Sequence, residues 1–383
     1  MRDERSPKFR KNSDSYRFDN RKYQTRKNYI EIPANGENRG GSFFGGGGTM
    51  RSVLWAVVAW AAASLILPPL IALAWRVGAL DVPRDQRRMH RDSVPRIGGV
   101  AIFLVFVIAV LLSGLEREGV RYTLAGASIV FLVGLADDLF TLPAWIKFFF
   151  QLIAAAFAVG GEGTASGLGV FAAVFWVILL TNAHNLIDGM DGLFAGTAVI
   201  ECIGLTVVLL LLGQSGRETL ILGAVCLAFR AKNRFPARIF AGDCGSGTVG
   251  FLLGMFSLPA FAATWSFGIL VPFLLFAYPI ADLSAAVLRR LLRGRSIFAA
   301  DRGHLHHRLY ATGIGVVASG RVLLTASGTF VALSILFVKE EWQLIAAGAC
   351  LCAIGILLLL RGYILRRADR ENVPKKVDFP NEI

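Results

Sequence analysis

Cysteine is scarce in this chain and poorly placed for any framework. Cys202, Cys226, Cys244, Cys350 and Cys352 are scattered through apolar segments without paired metal-ligand spacing, so neither a disulfide scaffold nor a cysteine metal site is expected. Charge is scarce too: Asp, Glu, Lys and Arg make up 17% of the 383 residues against 55% hydrophobic ones. A soluble domain of this length could not hide so much apolar surface, which leaves a bilayer as the solvent. No lysine follows the glycine-rich stretch around Asp243 in the manner of a P-loop, so that nucleotide cradle is excluded. No internal repeat is visible either, which weighs against a secondary transporter, the main alternative from another functional class.

What is present is a series of apolar runs. Residues 1–49 form a polar, basic, Gly-rich tail with too few apolar residues to offset the entropy of ordering, and disorder is expected there. Met50, directly before the first run, is an alternative start. Residues 50–363 read as one integral membrane domain and 364–383 as a cytoplasmic tail. The expected fold is an all-α polytopic membrane protein of about eleven transmembrane helices. The spans run roughly Val53 to Trp75, Ile97 to Leu115, Thr123 to Ala136, Pro143 to Val159, Leu168 to Thr181, Leu193 to Leu212, Thr219 to Phe229, Thr248 to Ala263, Trp265 to Leu288, Val322 to Val338 and Trp342 to Leu360.

Loops after odd-numbered spans carry roughly 23 Lys and Arg and those after even-numbered spans about 4, which places the odd loops in the cytoplasm. The N-terminal tail, with about 11 basic residues, would lie outside under this topology, against the positive-inside rule. The net charge of +13 is confined to short stretches between spans, so it suits topology and phosphate contacts rather than nucleic acid.

Five polar clusters all fall on odd loops: Asp81 to Gly99, Asp137 with Asp138, Asn182 to Asp191, Asn233 to Ser246, and Asp301 to Arg308. A site assembled from several helix ends on one membrane face requires such sorting. Two adjacent carboxylates at a helix end, Asp137 and Asp138, need a cation or basic partner, and Lys147 further on suits phosphate or simple snorkelling. Asn182, Asn185, Asp188 and Asp191 recur every three residues, so a continuous helix would stack them on one face. Asp243, between Gly242 and Gly245 and just before a helix opening near Ser246, suits Mg²⁺ by its carboxylate and phosphate by the helix N-terminus, with a plain N-terminal cap as the bland reading. His304, His306 and His307, three of the five histidines, suit hydrogen bonding to sugar hydroxyls or phosphate. Glu201 and Asp282 fall inside spans: Asp282 could face the site or pair with an arginine, and Glu201 has no motif around it.

Taken in order, five blocks resemble the polyprenyl-phosphate N-acetylhexosamine-1-phosphate transferases: DVPRDQRRMHRDSVPRIGG, GLADD, NAHNLIDGMDGL, PARIFAGDCGSGTVG and DRGHLHHRL. The HLHH form is similar to the branch that transfers GlcNAc-1-phosphate at the start of O-antigen, enterobacterial common antigen or teichoic acid linkage. The peptidoglycan branch, the phospho-N-acetylmuramoyl-pentapeptide transferases, is the runner-up. Arg88 stands where the first block commonly has lysine, and Cys244 where a small or hydroxyl residue is usual.

The resemblance implies a bacterial cytoplasmic-membrane enzyme of eleven spans with its active site on cytoplasmic loops. It implies attack by a lipid phosphate oxygen of undecaprenyl phosphate on the β-phosphorus of a UDP-amino sugar, releasing UMP, with Mg²⁺ as cofactor and Mn²⁺ as an alternative ion. A homodimer is left open. The roles it implies are Asp243 as principal metal ligand and Asp137 or Asp138 as base or further metal ligand. Asp188 and Asp191 act as catalytic or nucleotide-holding carboxylates. Substrate contacts fall to Arg88, His90, Lys147, Asn182, Asn185, Gly242, Ser246, His304, His306, His307 and Arg308.

Overall fold

The computed structural model describes residues 46–81, 93–114, 119–163, 167–262, 269–297 and 303–338. They form twelve α-helices and one minimal hairpin. The helices are α1 (Gly46–Val77), α2 (Gly98–Ser113), α3 (Gly119–Phe140), α4 (Ala144–Glu162), α5 (Leu168–Ile187), α6 (Leu193–Leu211), α7 (Arg217–Asn233), α8 (Gly242–Ser257), α9 (Leu270–Leu275), α10 (Ala277–Leu292), α11 (Leu305–Leu309) and α12 (Val316–Phe337). Strands β1 (Leu80–Asp81) and β2 (Val94–Pro95) pair antiparallel. In an apolar solvent every backbone group must be satisfied within its own segment, so long apolar runs become helices. Seven helices (α1, α3, α4, α5, α6, α12 and the one opening at Gly242) are long and apolar enough to cross a membrane. The chain is an all-α, multi-pass membrane protein.

The expected spans from Val53 to Phe229 each fall on one helix, α1 to α7, and those at Thr248 and Val322 fall on α8 and α12. The expected span Trp265 to Leu288 does not form one helix. It breaks at Phe276, where the backbone leaves helical geometry (φ −110°, ψ 23°) between α9 and α10. Pro279 has no N–H to give to the preceding turn, so the ladder is interrupted just upstream of it. The span Trp342 to Leu360, residues 1–45 and the tail 364–383 lie outside the described residues.

Helix α8 is the axis of the bundle. Every one of its residues except Asp243 is buried. Burial on all sides is achieved with glycine, because between helices in lipid the gain comes from close van der Waals approach rather than from expelling water. A Cβ on Gly245 would press on Gly99 of α2, one on Gly134 of α3 would meet the Cys244 backbone at 2.6 Å, and one on Gly254 would meet the Cα of Val177 on α5 at 3.0 Å. Gly99 and Gly134 thus fix how closely α2 and α3 approach the start of α8, the point at which Asp243 emerges, and Gly254 how closely α5 approaches its other end.

At the end of α2 remote from Asp243, Arg217 is fully buried and donates to the carbonyls of Ser113 (3.3 Å) and Gly114 (2.5 Å) while pairing with Glu218 at 3.2 Å. A guanidinium on the last carbonyls of a helix answers its negative dipole end. Arg217 is therefore a structural clamp between α2 and α7.

Candidate active site

The helix ends that carry the polar clusters converge on Asp243. Its Oδ2 receives the Lys147 ammonium of α4 at 2.7 Å and the Asn185 amide of α5 at 3.1 Å, and its Oδ1 faces Arg96 at 3.4 Å. The same ammonium reaches Asp137 Oδ2 on α3 at 3.0 Å. Two carboxylate oxygens from different helices thus meet at one cation. Ser246, one turn along α8, donates to Asn185 Oδ1 at 2.8 Å. The Asp243 carboxylate can only accept, so the Asn185 atom that meets it is Nδ2, which leaves Oδ1 to the Ser246 hydroxyl.

Asp137 and Asp138 are neighbours in sequence with different surroundings. Asp137 Oδ1 accepts the Leu142 N–H and its Oδ2 faces Lys147. Asp138 is turned the other way, its side chain wholly buried, and accepts the N–H groups of Asp243 (2.9 Å) and Cys244 (3.0 Å) while pairing with Arg96 Nε at 3.1 Å. It caps α8 from another helix. The expectation that the N-terminus of α8 lies open to a phosphate is therefore overturned for these two N–H groups, which already hold a carboxylate. Gly242 stands in the left-handed region (φ 71°) with Asp138 and the Arg96 carbonyl packed where a side chain would go. It makes this close approach and leaves no room for a Cβ.

The Asn182 to Asp191 stripe is not one helix face. Helix α5 stops at Ile187, Asp188 is its C-cap, and Gly192 (φ 73°) turns the chain into α6. Asn185 and Asp188 reach the cluster. Asn182 instead bonds Gln151 of α4 (2.8 Å), and Asp191 Oδ2 accepts the Ala237 N–H at 2.9 Å, tying down the loop that leads to α8. Asn233 completes that tie, accepting from Gly192 N and donating to the Ile239 carbonyl.

The histidine motif docks through Asp282. Its Oδ1 accepts the Leu305 N–H at the start of α11 (2.9 Å), and its Oδ2 lies 3.3 Å from His304 Nδ1. His306 is buried against Gly189, the residue after Asp188: a Cβ on that glycine would meet His306 Nε2 at 2.7 Å. The three rings lie together, His304 stacked on His306 with centroids 5.7 Å apart and His307 4.3 Å from His306. Burial, then the neighbouring His307, push His306 down to about 3, so it stays neutral near pH 7. Arg308 is part-buried at the end of α11. Glu201, which has no motif around it, pairs with His184 at 2.7 Å, both side chains fully buried between α5 and α6.

Comparison with known proteins decides what this arrangement belongs to. A family model described as Glycosyl transferase family 4 matches residues 120–260, which span α3 to α8. The chain is 36% identical over 288 residues to a probable undecaprenyl-phosphate N-acetylglucosaminyl 1-phosphate transferase of Bacillus subtilis, covering 69% of this chain and 79% of that one. It belongs to glycosyl transferase family 4. It is also similar to a decaprenyl-phosphate N-acetylglucosaminephosphotransferase of Mycobacterium tuberculosis (31% identical, 79% of this chain and 86% of that one). A third relative is an undecaprenyl-phosphate alpha-N-acetylglucosaminyl 1-phosphate transferase of Yersinia pestis (28%, 84% and 93%).

Within this family-4 chain the charges around Asp243 do not balance. Among the described residues, Asp137, Asp138, Asp188 and Asp243 face only the cations Arg96 and Lys147. Burial, then Asp243 and Asp138, push Asp188 well above the usual carboxylate range. Burial pulls the Arg96 guanidinium down, but Asp138 and Asp243 outweigh it and its pKa is raised. A dication would offset the excess of negative charge. Mg²⁺ suits the donor set, because it takes one or two carboxylates and fills its octahedron with water and phosphate oxygens. Asp137 Oδ2 and Asp243 Oδ2, which already meet at the Lys147 ammonium, are the oxygens that would hold it.

Arg96 and Gln151 were not among the expected site residues. Arg96 sits in a two-residue link between β2 and α2, and a single arginine in a basic loop carries no pattern. Gln151 is one turn beyond Lys147, and that i, i+4 spacing on an apolar helix was the available signal. Arg88 and His90 lie outside the described residues.

Proposed function

We propose that this chain transfers N-acetylglucosamine 1-phosphate from UDP-GlcNAc to undecaprenyl phosphate, releasing UMP, with Mg²⁺ held by Asp243 and Asp137. The observation that carries the assignment of roles is the convergence of these two carboxylates on the Lys147 ammonium, with Arg96 on the other oxygen of Asp243. The family and the activities named for the relatives support undecaprenyl phosphate as acceptor and N-acetylglucosamine 1-phosphate as the group transferred. The reading places the Asp243 end of the bundle at the cytoplasmic face of a bacterial inner membrane, in a chain of eleven spans, the last of them Trp342 to Leu360.

An oxygen of the lipid phosphate attacks the β-phosphorus of the sugar nucleotide. The bond from that phosphorus to the oxygen bridging the two phosphates breaks, and UMP leaves with the bridging oxygen. Nucleophile and electrophile are both anionic, so the site must neutralise charge and hold the two in line. The metal ion, when bound, supplies charge neutralisation to the diphosphate. Lys147 and Arg96 add positive charge on the same side. Ser246 holds Asn185, and Asn185 holds Asp243, so the carboxylate is oriented before substrate arrives. The lipid phosphate is already ionised near neutral pH and needs no general base. His304, His306 and His307, held next to the Asp188 turn, contact the sugar and diphosphate.

Purified enzyme with undecaprenyl phosphate, Mg²⁺ and UDP-GlcNAc is expected to release UMP and form a lipid-linked sugar. EDTA should abolish release and added Mg²⁺ or Mn²⁺ restore it. Release with UDP-MurNAc-pentapeptide and none with UDP-GlcNAc would overturn the substrate reading. Asp282→Ala should raise the KM for the sugar nucleotide by about tenfold, the order expected for a lost charge-assisted hydrogen bond, because the Leu305 N–H loses its acceptor and the histidine motif its anchor. Steady-state UMP kinetics at varied UDP-GlcNAc check it.

A further inference from the structure

A small cavity opens on the membrane side of Asp243, and one of its walls has no role in the reading above. It is lined by Val130 and Val133 of α3, Lys147 and Gln151 of α4, Asn185 of α5 and Asp243. Val130 lies ten residues before the end of α3 at Phe140, which is about 15 Å of helix, so the cavity reaches down into the apolar layer from the helix ends.

The orientation of the Gln151 carboxamide follows from its neighbours. Asn182 places one atom 2.9 Å from the Ile178 carbonyl oxygen, which can only accept, so that atom is Nδ2. The same Nδ2 lies 2.8 Å from the Gln151 carboxamide, so the atom it meets is Oε1. The remaining atom, Gln151 Nε2 with its two N–H groups, has no hydrogen-bond partner among the described residues. Asn182 therefore acts as a positioning residue that keeps the acceptor of Gln151 occupied and leaves the donors for the cavity.

We infer that Gln151 binds the phosphate of the isoprenoid acceptor through its Nε2–H groups, on the same face of α4 as the Lys147 ammonium. The ligand is a phosphomonoester carried on an apolar chain rather than the nucleotide diphosphate. A sugar nucleotide arrives from water, whereas this cavity is walled by Val130 and Val133 within the span, where only a lipid-borne phosphate has its tail in the matching solvent. The inference rests on the proposed function for the identity of the acceptor.

Two variants test it. Gln151→Met keeps the length of the side chain and removes the donors. Gln151→Glu keeps an oxygen for Asn182 and sets a second oxygen where the donors were. In the UMP-release assay both should raise the KM for undecaprenyl phosphate, Met by about tenfold and Glu by more, with the KM for UDP-GlcNAc unchanged. A merely structural role would shift both constants together or lower kcat alone, and either result overturns the inference, as does wild-type KM for the lipid in both variants. A binding measurement with farnesyl phosphate and no nucleotide separates this inference from the reading it rests on. Weaker binding by both variants supports the phosphate contact even if wild-type enzyme released no UMP from UDP-GlcNAc, and equal binding by all three sinks it.

Discussion

Asp243→Asn is expected to lower kcat by about a thousandfold, the order found when a preorganised charge-stabilising group is removed from a reacting centre. Asp137→Asn should fall by a comparable factor, and both variants should melt at the wild-type temperature in detergent. The separation of the two readouts follows from the geometry. In Asp243→Asn the amide oxygen can take the Oδ2 position, where Lys147 and Asn185 both donate, and the amide nitrogen then occupies the Oδ1 position, which faces Arg96 at 3.4 Å. Little of the packing is disturbed. What is lost is an anion, and with it half of the pair that would hold the metal ion. A carboxamide oxygen is a weaker ligand for a hard cation than a carboxylate, so the Mg²⁺ concentration needed for half-maximal rate should also rise. In Asp137→Asn the Leu142 N–H keeps an oxygen acceptor, while the Oδ2 position facing Lys147 loses its charge. Wild-type turnover in both variants would remove these residues from the metal site.

Much of this site was legible because its chemistry needs charge where lipid does not tolerate it. Asp137, Asp138, Asp188 and Asp243 stand out in sequence as carboxylates at the ends of apolar runs, and the three helix ends that carry them come together around Lys147 and Arg96 without any local signature of contact. The parts that were not legible depend on direction. Nothing in the dipeptide Asp137-Asp138 says that one carboxylate faces Lys147 and the other the start of α8, because successive residues of a helix point about 100° apart and only the neighbours decide which of them meets what. The three-residue recurrence from Asn182 to Asp191 was real, but the helix that would have made it a stripe ends at Ile187, where Asp188 caps it and Gly192 turns the chain. The pairing of Glu201 with His184 joins two helices across 17 positions, a separation at which sequence carries no register. The span broken at Phe276 also failed for a local reason, and Pro279 was the available signal.

Asp138 carries the other large expected effect, and it falls on stability, where its neighbour's falls on turnover alone. Asp138→Ala should destabilise the folded protein by about 3 kcal/mol, because two buried N–H groups at the start of α8 lose their acceptor and Arg96 loses the nearer of its two carboxylates. The part-exposed guanidinium can recover some solvation, so most of the loss comes from the N–H groups of Asp243 and Cys244. Asp138→Asn keeps one acceptor oxygen and should lose less. The cap also sets where α8 begins, and Asp243 is the second residue of that helix, so activity should fall in Asp138→Ala even at temperatures where the variant stays folded. Gly242 and Gly134 pack so closely on this junction that no side chain could fill the space left behind. Thermal unfolding in detergent followed beside UMP release distinguishes the two aspartates. A lowered melting temperature in Asp138→Ala with an unchanged one in Asp137→Asn is the expected pattern. A metal-binding role for Asp138 in place of the cap would reverse it, leaving Asp138→Ala with wild-type stability and a raised Mg²⁺ requirement.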